Sequence, residues 1–354
     1  MVELSAFYDE VFQQPEAVES LLANVEYYRQ KVRGLFPLPS QRVVFFGMGS
    51  SLYASVHATY LLRMYGIDAD AYDASEGLWY ISNGWFDNVS VVVLVSNSGE
   101  TVEILRLLER LKGSHAVKVG FTSNLKSALA KGVDLCFDIF SGEEKALGST
   151  KSYTNSVLAL VVFSLLLVGR LDGEVESLRA LPSELARVLK LARDSVDDLP
   201  REVISSADGG VITTRGFGMS MVYQASLTFG EIARLNLLPI SAGMLRHGPM
   251  EMMVERRGII CFVPDSANKE LLVKLCREVS PVSSFCWIVA NSLVDTAGLE
   301  SGSVFMDIVN TDLPEYLQGL LFLVYMQLFA YRVRKTKGIS DEEFEMINKV
   351  TREE

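Results

Sequence analysis

The segment Ser96-Asn97-Ser98-Gly99-Glu100-Thr101 packs three hydroxyls and an amide into one short stretch. Small hydrogen-bond donors at the start of a helix suit an anion, because the first helical N–H groups are unpaired and carry a partial positive charge. The same residue types also cap helices, with Asn97 in the turn. Capping needs one such residue, so the density of the cluster favours a phosphate. Gly47-Met48-Gly49-Ser50-Ser51 is a second small, polar turn from which Ser51 could reach the same anion, and Gly148-Ser149-Thr150-Lys151 is a third. Glu231, late in an apolar helical stretch, and His247, in Arg246-His247-Gly248-Pro249, are the candidate proton-transfer groups. Each has a plain alternative, as the polar edge of an amphipathic helix and as a structural turn histidine.

The elements that must position these residues follow from hydropathy. Arg42 to Phe46, Val91 to Val95 and Val117 to Phe121 are continuous apolar runs, each ending in a small polar loop and leading to a helical stretch. Fully apolar strands alternating with helices predict a parallel sheet covered on both faces. Gly210 to Thr214, Gly258 to Val263 and Phe285 to Ala290 repeat the pattern, offset by about 168 residues. That is the mark of a duplicated α/β unit. The second copy has Pro264-Asp265-Ser266-Ala267 where the first has its serine cluster. The expected organisation is a helical segment over 1–38, a first domain over 39–170, a helical connector over 171–200, a second domain over 201–334 and a charged tail over 335–354.

The chain has 354 residues, 49% of them hydrophobic and 22% charged, with a net charge of −11. A folded two-domain protein is expected. Its acidity disfavours nucleic acid as a partner. The cysteines (Cys136, Cys261, Cys276, Cys286) form no CxxC pair, and the three histidines are dispersed, so no metal site is expected. Free buried thiols suit a reducing, cytoplasmic setting. No signal peptide is evident. Val157 to Val168 falls short of the roughly 20 residues that span a bilayer, so no membrane partner is expected.

Taken together, the Ser96–Thr101 segment, Gly148-Ser149-Thr150-Lys151, Arg215-Gly216 and Arg246-His247-Gly248-Pro249 resemble the double sugar-isomerase-domain (SIS) family, in particular the isomerase half of glucosamine-6-phosphate synthase. Sixteen residues separate Arg215 from Glu231 and sixteen separate Glu231 from His247, as in that family. The opening Val11 to Ala17 and the tail Lys349 to Glu353 are also similar. The resemblance implies an α/β fold of two flavodoxin-like SIS domains, each a parallel sheet flanked by helices, in a homodimer with shared active sites. It implies that Ser51, Ser96, Asn97, Ser98 and Thr101 bind the phosphate of a phosphorylated amino sugar or ketose, with Gly49, Ser50 and Ser149 nearby. Glu231 would move a proton between C1 and C2. His247 would assist ring opening, reaching a neighbouring subunit's site, and Lys349 would sit on a tail closing over the sugar. No cofactor is implied.

The chain departs from the synthase at Gln224 and Thr228, where the synthase has glutamate and lysine, and in Glu342 to Ile347 of the tail. The synthase's glutamine-hydrolysing domain is also absent from this sequence. The expected reaction is therefore isomerising deamination of glucosamine 6-phosphate to fructose 6-phosphate and ammonia. A deglycase of a phosphorylated sugar–amino acid conjugate (fructoselysine 6-phosphate type) and a non-enzymatic sugar-phosphate sensor are the alternatives.

Overall fold

The computed structural model describes residues 6–33, 42–146, 148–200, 203–204, 208–299 and 304–340. The chain divides into two compact units, with the division between Pro182 and Ser183. It falls inside one long helix, α9 (Leu171–Asp198).

The first unit holds five parallel strands: β1 (Arg42–Gly47), β2 (Asp68–Asp73), β3 (Val91–Val95), β4 (Val117–Thr122) and β5 (Leu135–Asp138). They are ordered β2-β1-β3-β4-β5, the flavodoxin-like doubly wound arrangement. The central strand β3 is buried at every position, which is why it reads as an unbroken valine-rich run. Three short helices, α1 (Ala6–Phe12), α2 (Gln14–Ala23) and α3 (Val25–Val32), precede the sheet. They belong to this unit: Asn155 donates to Ala17 O (2.8 Å) and to Ile139 O (2.9 Å), tying α2 to the helix α8 (Lys151–Leu167) and to the loop after β5. Helix α8 is buried nearly end to end and packs on α4 (Ser50–Met64), α2 and α3. It therefore shows no amphipathic stripe, as expected of a helix covered all round. The remaining helices are α5 (Ala74–Tyr80), α6 (Val102–Arg110) and α7 (Ala128–Gly132).

The second unit repeats the plan. Its strands are β6 (Gly210–Thr214), β7 (Leu237–Ser241), β8 (Ile259–Val263), β9 (Cys286–Ala290) and β10 (Val304–Ile308), ordered β10-β9-β8-β6-β7. Counted within the unit this is the same 2-1-3-4-5 order, so the repeat in the sequence is a repeat of topology. Helices α10 (Gly218–Thr228), α11 (Ala242–Leu245), α12 (Lys269–Val279) and α13 (Glu315–Thr336) cover the sheet. Val211, Ile259, Cys261, Val263, Leu272 and Cys276 lie in one apolar core between the sheet and α12. No described helix is long and apolar enough to cross a membrane.

Candidate functional site

In the first unit β1 and β3 are neighbours, with Phe46 opposite Leu94. The strand order reverses between them, and open α/β sheets bind ligands beyond the carboxyl ends of the strands at such a switch point. The two polar turns named from the sequence follow these two strands directly. After β1 the backbone turns so tightly that a Cβ on Gly47 would lie 2.6 Å from Leu52 N. Gly49, at φ 50°, is the N-cap of α4, and no side chain caps this helix. Ser50 and Ser51 form its first turn, where Ser51 N donates to Met48 O (3.0 Å) and the two hydroxyls stand at the positive end of the helix.

The loop after β3 is built by internal hydrogen bonds. Ser96 Oγ and Thr101 Oγ1 are 2.8 Å apart, Gly99 N donates to Ser96 Oγ (3.1 Å), and Glu100 N donates to Ser98 Oγ (3.2 Å). Thr101 is the N-cap of α6, yet its side chain makes no capping bond. Simple capping therefore does not account for the cluster: the hydroxyls hold one another and leave the helix end open. Asn97 Oδ1 is buried and has no hydrogen-bond partner among the described residues. A buried acceptor of this kind costs about 1–3 kcal/mol, a cost that a bound donor would remove.

Sequence reasoning missed the support behind this loop. Thr122 Oγ1, at the end of β4, and Ser123 Oγ, one residue on, both donate to Asn97 O at 2.9 Å. Ala128 N donates to Glu100 Oε1 (2.9 Å) and Leu129 N to Gly99 O (3.1 Å), so α7 is latched onto the loop. Gly99 adopts φ 69°. The signal was the run Thr122-Ser123-Asn124, another polar loop at a strand's carboxyl end.

Ser149 lies in the loop that follows β5, at the same edge of the sheet. The next helix, α8, is capped by a carboxylate from outside. Glu144 accepts from Thr150 N (2.9 Å), Thr150 Oγ1 (3.0 Å), Ser152 N (3.1 Å) and Ser152 Oγ (2.5 Å). Glu10 accepts from Lys145 N (2.5 Å) and Ala146 N (2.9 Å). Lys151 is buried and donates to Gln13 Oε1 (2.8 Å). Thr150 and Lys151 thus hold the loop rather than offer themselves to a ligand, while Ser149 is partly exposed.

In the second unit Glu231 does not sit on a regular α-helix. It lies in a π turn, Phe229–Ala233, that continues α10 and ends in Arg234 at φ 50° and ψ 46°. Such turns widen the helix and re-aim a side chain. On the same helix, Gln224 Nε2 donates to Thr228 Oγ1 (3.3 Å), both residues being buried, so the chain carries a neutral pair there. His247 is exposed in the turn between α11 and a short 3₁₀ helix, Pro249–Glu255.

The structure does not bring Glu231 and His247 together within the unit. The chain leaves β6 at the carboxyl edge of the sheet, runs back along α10, and re-enters through β7, which is parallel to β6. Glu231 therefore lies at the amino edge and His247 at the carboxyl edge, with the five-residue β7 spanning roughly 16 Å between the two edges. Lys349 lies outside the described residues.

The loop after β8 shows why the second unit has no counterpart to the serine cluster. Asp265 accepts from Lys269 Nζ (3.1 Å) and Asn291 Nδ2 (2.7 Å), and its other contact is the Ser292 hydroxyl. Burial alone would push this carboxyl up, but the Ser292, Lys269 and Asn291 donors together hold it below the usual range. A carboxylate of the chain itself takes the place an anion would need. Among the described residues no group of three or more His, Cys, Asp or Glu side chains could hold a metal ion.

Residues 38–166 match the SIS domain family. The chain is 26% identical over 336 residues to a glutamine–fructose-6-phosphate aminotransferase (isomerizing) of Pyrococcus horikoshii, covering 93% of this chain and 54% of that protein. It is 27% identical over 314 residues to its namesake 1 of Arabidopsis thaliana, covering 84% and 45%. The chain thus spans about half the length of the curated relatives it matches. Among solved structures, the C-terminal domain of glucosamine-fructose-6-phosphate aminotransferase from Francisella tularensis superposes with a TM-score of 0.83 at 20% identity, over 97% of this chain and 99% of that one. A glucosamine-6-phosphate deaminase from Thermotoga maritima gives 0.76 at 20%, over 98% and 99%. The family match thus lies in the first unit, residues 38–166, and the second unit repeats its flavodoxin-like strand order.

Proposed function

We propose that this protein is a phosphosugar enzyme, an isomerising deaminase that converts glucosamine 6-phosphate to fructose 6-phosphate and ammonia. The observation that carries the reading is the pair of helices that follow the neighbouring strands β1 and β3, neither N-terminus capped by a side chain, with a hydroxyl cluster after β3 that does not cap its helix. In this reading Ser51, Ser96, Asn97, Ser98 and Thr101 hold the phosphate, and Gly49, Ser50 and Ser149 line the sugar's path. The C1 carbonyl of the open-chain sugar acidifies the proton on C2. Glu231 takes that proton and returns it to C1, leaving an imine at C2 that water hydrolyses to a ketone and ammonia. A positioned acid–base group of this kind supplies about 10²–10⁴-fold. The relatives named for aminating fructose 6-phosphate, and the deaminase among the similar folds, support this substrate class. The placement of His247 at the far edge from Glu231 supports a homodimer in which His247 assists ring opening in a second copy's site. Lys349 is assigned to a tail that covers the sugar. A cytoplasmic setting suits the free thiols.

The test is ammonia release without glutamine, with glucosamine 6-phosphate and fructoselysine 6-phosphate offered separately. Fructose 6-phosphate and ammonia from the first substrate, lost in Glu231→Gln, are expected. Near-normal turnover by Glu231→Gln would overturn the assignment of the base. Lysine released from the second substrate alone would make the protein a deglycase, and silence on both would leave a sensor.

A further inference from the structure

The π turn that carries Glu231 is not stabilised by its own helix alone. A helix end leaves its last carbonyls without partners, and this one closes on Arg234, whose left-handed backbone is strained in any residue but glycine. Phe229 O takes the closing bonds, including one from Leu235 N (3.1 Å). The carbonyls that follow are satisfied from a different element, the carboxyl end of α13. The buried guanidinium of Arg334 donates to Ile232 O at 3.0 Å. Lys337, one residue past α13, donates to Ala233 O (3.1 Å) and Arg234 O (3.2 Å). One turn earlier the rings of Phe229 and Phe329 pack edge to face, with centroids 5.4 Å apart.

Cations usually settle at the end of their own helix. Here those of α13 reach across to another chain segment and flank the turn of the candidate base. Charged donors make the stronger hydrogen bonds, and Arg334 is only 6% exposed, so its bond is shielded from water. We infer that Arg334 and Lys337 are positioning residues: they brace the π turn and so fix where the Glu231 carboxylate stands. A general base must lie within hydrogen-bond reach of the proton it takes, and the supporting groups must hold it to about 0.5 Å. The inference rests on the reading of Glu231 as the base.

The experiment pairs steady-state kinetics on glucosamine 6-phosphate with amide hydrogen exchange over residues 230–235. Arg334→Ala and Lys337→Met are compared with Arg334→Lys, and guanidinium chloride is added to Arg334→Ala at millimolar concentration. The expected result is a fall in kcat of about 10- to 100-fold, with KM unchanged and exchange of the turn accelerated. Activity should return in Arg334→Lys and on adding guanidinium. A merely structural role would lower the melting temperature without this split or rescue. Lys337 is exposed, so its variant carries the test should Arg334→Ala fail to fold. Wild-type kcat and wild-type exchange in both variants, with Glu231→Gln inactive, would overturn the brace alone. If Glu231→Gln is itself fully active, the proposed chemistry fails and hydrogen exchange decides: unaltered exchange refutes the brace, accelerated exchange retains it as a conformational clamp.

Discussion

In the loop after β3, which the proposed function assigns to the sugar phosphate, Gly99 has no room for one added carbon. Its φ is 69°, and a Cβ there would stand 2.1 Å from Ser127 Oγ, 2.5 Å from Ser127 Cβ and 3.0 Å from Thr122 Oγ1. In Gly99→Ala the left-handed backbone costs about 1–2 kcal/mol and the overpacking about 1–3 kcal/mol. The loop must shift, and the Gly99 N to Ser96 Oγ bond (3.1 Å) and the latch from Leu129 N (3.1 Å) shift with it. Loss of one bond from this cradle to a charged phosphate is worth about 1.5–3 kcal/mol, or about 10- to 150-fold in affinity. Both effects are measurable: urea unfolding for stability, and calorimetric titration with glucosamine 6-phosphate for binding. A second variant separates their causes. Ser127→Gly removes the two nearest atoms, and glycine at this N-cap of α7 costs only a few tenths of a kcal/mol. In the Gly99→Ala background it should therefore restore about 1–3 kcal/mol, the overpacking share alone. Wild-type stability and binding in Gly99→Ala would refute the account. Further destabilisation on adding Ser127→Gly would refute the clash as its cause.

Two further outcomes follow from neighbouring groups. Glu144→Ala removes the carboxylate that caps α8 from outside; because four donors lose their acceptor, unfolding should become easier by about 2 kcal/mol or more, which thermal denaturation would read. Asp307 has its carboxyl raised by burial, with Ser195 and Trp287 as opposing donors. A folded value above the unfolded one gives stability that is full below the unfolded value and lost as pH rises through the folded value. Asp307→Asn, which keeps an acceptor for Trp287 Nε1 (2.6 Å), should thus gain stability at neutral pH and lose that pH dependence in urea titrations at pH 4 and pH 7.

The amino-acid sequence by itself determined the central strands and the loops behind them. β3, β8 and β9 are buried at every position and read as runs of apolar residues; β6 is buried as well, its Thr213 and Thr214 hydroxyls donating to Ile240 O and Phe262 O. The polar turns after β1 and β3 stood out against those runs. The edge strands were not legible. β2 reads Asp-Ala-Asp-Ala-Tyr-Asp and β10 is only half buried along its length, because an edge meets water and needs no apolar run. Glu231 was legible as a carboxylate on an apolar helix, but the π turn was not, since no residue type forces one. Only tertiary packing decided it: the Phe329 ring, the Arg334 guanidinium and the Lys337 ammonium, about a hundred residues further along the chain, supply the contacts that close the turn. The same holds for Asp265, whose role as the second unit's own anion depends on Lys269, Asn291 and Ser292 converging from two strand ends. A local sequence pattern records which face of an element is buried, but not which distant side chain arrives to satisfy its last polar group.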